Sequence, residues 1–130
     1  MNMLVWALQG LLAVVFTLHG WLYLTMSPAR EAQFQQRQPP NAKPLPKLPR
    51  WLTIFIGLAE LLGAVGLLLP GLTGLFTWLT PLAAAGLVLP VVGAVGLHAS
   101  RREMPQVLVT GALCVLAAAV VYLRWQIVPL

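Results

Sequence analysis

Charged residues are scarce in this chain, and their scarcity excludes an ordinary soluble domain. Only 8% of its 130 residues are charged, whereas 59% are hydrophobic. Soluble domains carry about 25% charged residues, and their helices keep a polar face. Four stretches lack such a face, namely residues 3–26, 51–69, 72–97 and 105–123. Each is long enough to cross a bilayer, where the backbone must satisfy its own polar groups as a helix does. The composition predicts an all-α, integral membrane four-helix bundle, with residues 1–130 as a single membrane domain.

Cysteine is almost absent, and so are the common catalytic motifs. A single cysteine, Cys114, excludes an intrachain disulfide and a CxxC redox pair. The chain has no phosphate-binding loop, no Ser/His/Asp arrangement, no haem-attachment motif and no paired carboxylates. Its two histidines and three acidic residues lack the spacing of metal ligands, so no metal site is predicted. These absences disfavour an enzyme that works on its own.

Basic residues fall almost entirely on one side of the predicted bundle. Of eight Lys and Arg residues, only Arg124 lies outside the segments that join spans one and two and spans three and four. The positive-inside rule then predicts that loops 27–50 and 98–104 are cytoplasmic and that both termini are extracytoplasmic. Basic loops facing anionic lipid explain the net charge of +5, so no nucleic-acid partner is predicted. The expected partners are the lipid bilayer and either membrane proteins or further copies of this chain.

Two connections between the spans have distinct sequence signals. Leu69-Pro70-Gly71 predicts a tight turn between spans two and three. In the loop 27–50, Ser27 is suited to cap a short helix that has Pro28 at its first position. Prolines then predict an extended path back to the membrane; they are Pro39, Pro40, Pro44, Pro46 and Pro49. We interpret this proline-rich loop as a stiff connector on the lipid headgroups, or alternatively as a docking surface for a partner.

Glu60 carries the strongest functional signal in the sequence. It lies near the middle of span two, which is otherwise free of formal charge. A charge at that depth costs from about 3 to more than 10 kcal/mol, so an acidic residue there is more often functional than incidental. The alternative is structural, because a buried Glu can also serve as a hydrogen-bonded contact between helices.

Three other polar side chains are candidates to share a site with Glu60. At a rise of ~1.5 Å per residue, Glu60 lies ~13 Å from the start of span two, and His19 lies ~10 Å from the end of span one. The two spans are antiparallel, so both distances are measured from the predicted cytoplasmic side and the two residues lie at nearly equal depth. Tyr23 follows His19 by four residues and therefore lies on the same helix face. His98 ends span three on the same side. We expect His19, Tyr23, Glu60 and His98 to form an inward-facing ligand-binding or proton-handling site. A structural role is the alternative for each histidine, and it is the favoured one for His98, which lies beside two arginines.

The order of these features resembles that of the DoxX-like membrane proteins. Their second long helix carries the pattern G-x-x-E-x-x-G-A, which here runs from Gly57 through Glu60 to Ala64. Their third often ends in a histidine before a short basic loop, as His98-Ala99-Ser100-Arg101-Arg102 does here. The resemblance covers nearly the whole chain, although the proline-rich loop departs from the family pattern. It implies a small membrane subunit, since some relatives are tied to quinone-linked thiosulfate oxidation and others to membrane redox or detoxification complexes. Glu60 and His98 are the positions that match.

Three classes of function are consistent with the sequence. The first is an accessory subunit of a quinone-linked redox assembly, with a quinone pocket lined by His19, Tyr23 and Glu60. The resemblance favours this class, as does the lack of a repeat suited to alternating access. The second is a proton-coupled small-molecule transporter that uses Glu60. Small multidrug-resistance transporters also have four helices and one embedded Glu, but theirs lies in the first helix. The third is a purely structural or assembly protein.

Overall fold

The computed structural model describes residues 1–130, and its regular secondary structure is entirely helical. The helices are α1 (Asn2–Thr25), α2 (Pro28–Gln36), α3 (Arg50–Thr73), α4 (Leu79–Ser100) and α5 (Met104–Tyr122), the last continued by a π-helix (Leu123–Ile127). Every helix except α2 is long and apolar enough to cross a membrane, α5 together with its π-helix. The predicted fold class, an all-α membrane bundle with four spans, is confirmed.

The four long helices pack in the order α1, α3, α4, α5, each against the next. The α5 helix closes the circuit through a much smaller contact with α1. Small residues on α3 let α4 approach closely. A Cβ atom would lie 2.5 Å from a methyl carbon of Leu87 if added at Gly63, and 2.6 Å from the Cβ of Ala83 if added at Gly66. Without a hydrophobic driving force in lipid, such close packing is what holds helices together.

The two ends of the bundle differ in chemistry. One end holds α2, the proline-rich segment and the α4–α5 loop, with seven of the eight basic residues; we name it the basic face. The other end holds both termini and the α3–α4 turn, and we name it the terminal face. Many large apolar side chains remain exposed between the two faces, as expected for a surface covered by lipid.

The α3–α4 turn lies later in the chain than the sequence predicted. Helix α3 does not end at Leu69; it continues through Pro70 to Thr73, and the chain turns at residues 74–78. Proline has a helical φ and removes one hydrogen bond, and membrane helices tolerate this because neighbouring groups satisfy the freed carbonyl group. The helix ends where Gly74 takes a φ of 69°, a left-handed conformation that suits glycine.

The loop 27–50 is tied to the bundle. The Oγ of Ser27 accepts a hydrogen bond from the backbone N–H of Arg30 at 3.3 Å, which confirms the predicted cap of α2. Further along, the side chain of Lys43 donates to the carbonyl oxygen of Arg101, and Arg101 donates in turn to the carbonyl oxygen of Pro44. These reciprocal contacts hold the proline-rich segment against the α4–α5 loop.

Arg50 attaches the start of α3 to the end of α1. Its Nη2 donates to the carbonyl oxygen of Leu24 at 2.7 Å, and its Nη1 donates to that of Tyr23 at 3.0 Å. The last carbonyl groups of a helix lack intrahelical partners and carry the negative end of the helix dipole, so a guanidinium suits them. Arg50 therefore fixes the two helices side by side at the basic face.

The predicted orientation in the membrane is testable with two single cysteines. In a Cys114→Ala background, Asn41→Cys reports on the basic face and Leu75→Cys on the terminal face; both positions are exposed. An impermeant thiol reagent is expected to label Leu75→Cys in intact cells, and Asn41→Cys only after permeabilisation, because basic loops stay in the cytoplasm. Labelling of Asn41→Cys in intact cells would reverse the orientation.

Candidate functional site

The candidate site lies where the backbones of α1 and α3 approach each other closely. A Cβ atom added at Gly20 would lie 2.8 Å from the carbonyl oxygen of Gly57, and one added at Gly57 would lie 2.8 Å from that of Gly20. Real Cβ atoms do not approach a backbone oxygen this closely, so both positions require glycine. The side chains on either side of this glycine pair are thereby brought within contact distance of each other.

His19 and Glu60 meet beside the glycine pair. The Nδ1 atom of His19 lies 2.7 Å from the Oε2 atom of Glu60, which is hydrogen-bonding distance. The two side chains differ sharply in exposure: 46% of the His19 side-chain surface is accessible, but only 4% of that of Glu60. The carboxyl group is therefore enclosed between the helices. The imidazole lies at the outer edge of this contact, where it can meet molecules in the lipid phase. We name the contact of His19 and Gly20 with Gly57 and Glu60 the His19–Glu60 seam.

Tyr23 packs on the same imidazole. The ring centroids of His19 and Tyr23 are 4.5 Å apart, and the ring planes are inclined by 41°. Neither the Tyr23 hydroxyl nor the Nε2 atom of His19 has a hydrogen-bond partner within the chain, whereas Nδ1 is held by Glu60. The structure thus brings together three of the four residues that the sequence predicted, each with a defined contact.

His98 does not join the other three candidate residues, because its partner is local. Its Nδ1 atom lies 2.6 Å from the Oε2 atom of Glu103, five residues further along, and not against Glu60. Arg101 donates from Nε to the other oxygen of Glu103 at 2.8 Å. Hydrogen bonds from Arg101 and His98 lower the pKa of Glu103 to about 2, so this carboxylate stays ionised. His98 therefore belongs to an ion cluster in the α4–α5 loop.

A second buried polar cluster, at the terminal face, was missed by reasoning from the sequence. Arg124 lies on the π-helix with only 3% of its surface exposed. Its Nε donates to Oε1 of Gln9 at 2.6 Å, and the Nε2 of Gln9 donates to the carbonyl oxygen of Leu67 on α3. The guanidinium also lies 5.3 Å from the ring centre of Trp6. The sequence feature that could have indicated this cluster is Gln9, because it places a polar amide within an apolar span.

Neither cluster has the composition of a metal centre. No group of three or more His, Cys, Asp or Glu side chains converges anywhere in the described chain. The seam at Glu60 offers one carboxylate and one imidazole, and the terminal cluster offers amide oxygens beside a cation. The carboxyl–imidazole pair is suited to exchanging a proton with a ligand, whereas the terminal cluster offers hydrogen bonds alone.

Comparison with known proteins agrees with this architecture. The model of the DoxX-like family matches residues 7–120, which include the whole of α3 and α4, most of α1 and α5, and every residue of the His19–Glu60 seam. Neither the curated proteins nor the solved structures gave a match. Because the matched region covers most of the chain and the four apolar helices fit a multi-pass membrane protein, the chain belongs to the DoxX-like family.

Proposed function

We propose that the protein is an accessory subunit of a membrane redox assembly and that the His19–Glu60 seam holds the head group of a lipophilic quinone. The observation that carries this proposal is the pairing of a buried carboxyl with a half-exposed imidazole inside a membrane span. Intramembrane ionisable residues usually mark a ligand or proton pathway. The seam opens toward lipid, so a ligand dissolved in the bilayer can reach His19 without crossing the bundle.

The His19–Glu60 pair is suited to handling one proton. When Glu60 carries a proton, its hydroxyl donates to Nδ1 of His19, and the Nε2–H group faces outward as a donor. When the pair has lost that proton, Nδ1–H donates to the carboxylate and Nε2 becomes an acceptor. One proton therefore switches the outward atom between donor and acceptor.

This switch matches the chemistry of the proposed ligand. A quinone, when bound, supplies carbonyl oxygens that accept hydrogen bonds and become hydroxyl groups on reduction. The donor form of His19 suits a carbonyl oxygen, and its acceptor form suits a hydroxyl. Tyr23 contributes an aromatic face and a free hydroxyl beside the imidazole. The glycine pair fixes these groups at the seam without filling it.

The proposal is tested by infrared spectroscopy of a short-chain benzoquinone with ¹³C-labelled carbonyls, incorporated with the protein into lipid nanodiscs. A hydrogen bond from His19 is expected to shift part of the carbonyl band to lower wavenumber. His19→Leu removes the donor and should weaken binding about tenfold, the effect of one hydrogen bond. The matched control is His98→Leu, which removes the other histidine with an Nδ1–carboxylate contact.

The two variants separate the outcomes. The shifted band should persist in His98→Leu and disappear in His19→Leu. An equally strong shifted band in both variants, or no shifted band in the unaltered protein, would show that His19 does not bind a quinone. A proton-coupled transporter would instead show proton movement driven by a substrate gradient in sealed vesicles, with no carbonyl shift that depends on His19.

A further inference from the structure

Arg124 is a buried cation without a counter-charge. Its Nε and Nη1 atoms donate to three neutral oxygens, on Gln9, Asn2 and Val128, and it forms no ion pair. Taking a guanidinium out of water is costly unless its charge is compensated, and neutral oxygens compensate it only in part. The three acidic side chains lie elsewhere, Glu60 at the seam and the other two at the basic face.

One nitrogen of this guanidinium has no acceptor. The Nη2 atom of Arg124 is buried without a hydrogen-bond partner, and the only other such side-chain atom is Oγ1 of Thr80. Thr80 lies in the first turn of α4, and the π-helix that carries Arg124 packs against α4. Both residues lie ~30 Å along antiparallel helices from the loop that joins them, hence at about the same level. Two unsatisfied groups at one level indicate a polar partner that both could bind.

We propose that Arg124, together with Thr80, binds an oxyanion at the terminal face, with the chemistry of a phosphodiester head group or of free phosphate. Guanidinium groups bind phosphate oxygens through directed, charge-assisted hydrogen bonds, and a hydroxyl adds one more donor. A level ~30 Å across the membrane is where lipid phosphates begin, and Trp6 and Trp125 are suited to the same interface. This site lies at the opposite end of the bundle from the His19–Glu60 seam and does not depend on its function.

We expect an oxyanion to reach the guanidinium where the segment Val128–Leu130 contacts it. The carbonyl oxygen of Val128 accepts from Nη1 of Arg124 at 3.1 Å. A Cβ atom added at Gly71 would lie 3.0 Å from Cδ1 of Leu130, so the segment reaches α3. A segment held by few contacts opens at low free-energy cost. An oxyanion would replace the carbonyl oxygen of Val128 with a full negative charge.

The site is tested by thermal unfolding in dodecyl maltoside, an uncharged detergent that contains no phosphate. Sodium phosphate or short-chain phosphatidylglycerol is added at constant ionic strength. When the additive is present at a concentration about ten times its dissociation constant, binding is expected to raise the Tm of the protein by ~4 °C. Arg124→Gln should abolish this rise. Arg102→Gln, which removes one exposed guanidinium from the basic face, is the matched control and should retain it.

The two additives identify the source of the oxyanion. A rise with phosphatidylglycerol alone assigns the site to a lipid head group, and a rise with phosphate as well assigns it to a soluble oxyanion. An equal rise in Arg124→Gln, or none in the unaltered protein with either additive, overturns the proposal. If Arg124→Gln does not fold, Thr80→Val retains the side-chain shape without the hydroxyl and should bind several-fold more weakly. Unchanged affinity in that variant then overturns it.

Discussion

Replacing Glu60 with leucine is expected to destabilise the bundle, whereas replacing it with glutamine should leave the protein folded. Leucine removes the hydrogen-bond partner of His19 Nδ1 at 2.7 Å and leaves that nitrogen unsatisfied beside lipid. The loss should be about 1–3 kcal/mol in the free energy of unfolding. Glutamine is close in shape and can still hydrogen-bond to the imidazole, so its effect on stability should stay below about 1 kcal/mol.

Glutamine should nevertheless abolish the proposed proton-handling role. An amide cannot exchange a proton with His19, so the outward Nε2 would no longer be switched by the state of residue 60. Exchange of bound quinone for its reduced form should therefore release one proton from the pair in the unaltered protein, but none in Glu60→Gln. Unfolding of both variants in nanodiscs, together with a pH-indicator dye that follows this proton release, measures the two effects separately.

These measurements also distinguish a functional Glu60 from a structural one. If the residue serves only to join α1 and α3, Glu60→Gln should behave like the unaltered protein in both assays, and only Glu60→Leu should differ. Unchanged stability in Glu60→Leu would contradict even the structural role. The small exposed fraction of Glu60, 4% of its side chain, is compatible with either role, so stability alone does not separate them.

The contact between His19 and Glu60 could be predicted from the sequence because depth in a membrane is a strong constraint. When the ends of two antiparallel spans are known, the depth of each residue in the membrane follows from its distance along the helix. Glu60 is also the only acidic residue within a span. The position of Tyr23 beside His19 could be predicted because residues four apart lie on the same face of a helix. The seam also depends on Gly20, which the sequence did not single out because many glycines occur in these helices. Only the packed structure distinguishes the glycines that touch a neighbour from those that face open space.

His98 shows how a local partner overrides a distant one. Its position at the basic end of span three suggested convergence with the Glu60 site. Glu103 lies only five residues away across a tight loop, and it also accepts from Arg101. Forming this local contact requires little additional ordering of the chain. The family pattern marks His98 as well as Glu60, but these two residues lie in separate clusters.

The terminal face was harder to predict because helix geometry changes there. Arg124 follows span four, on the side of the membrane that carries no other basic residue. The helix switches to π geometry at Leu123, which changes the direction of the side chains that follow and buries Arg124 against Gln9.

The position of the α3–α4 turn was also hard to predict, because it depends on whether Pro70 or Gly74 ends α3. Proline and glycine both commonly end helices, so the sequence alone does not show which of the two does so here.

The glycine pair leads to the second large expected effect. Gly20→Ala should destabilise the bundle by about 1–3 kcal/mol, the usual cost of overpacking a well-packed contact. The added Cβ would lie 2.8 Å from the carbonyl oxygen of Gly57 and 3.2 Å from the Cβ of Glu60. A backbone oxygen cannot rotate away as a side chain can, so the two helices must separate. Because His19 is the preceding residue, its hydrogen bond to Glu60 should lengthen or break.

Gly10→Ala is the matched control, because it makes the same change on the same helix where nothing lies within 4 Å of the added Cβ. That variant should be neutral, or more stable by up to about 1 kcal/mol, since alanine favours the helix over glycine. Both variants can be compared by unfolding in nanodiscs and by the shifted carbonyl band of bound quinone. Gly20→Ala should lose the band together with stability, whereas Gly10→Ala should keep both. If the two variants unfold alike, α1 and α3 do not cross at Gly20 and Gly57, and the close approach that joins His19 to Glu60 is absent from the folded protein.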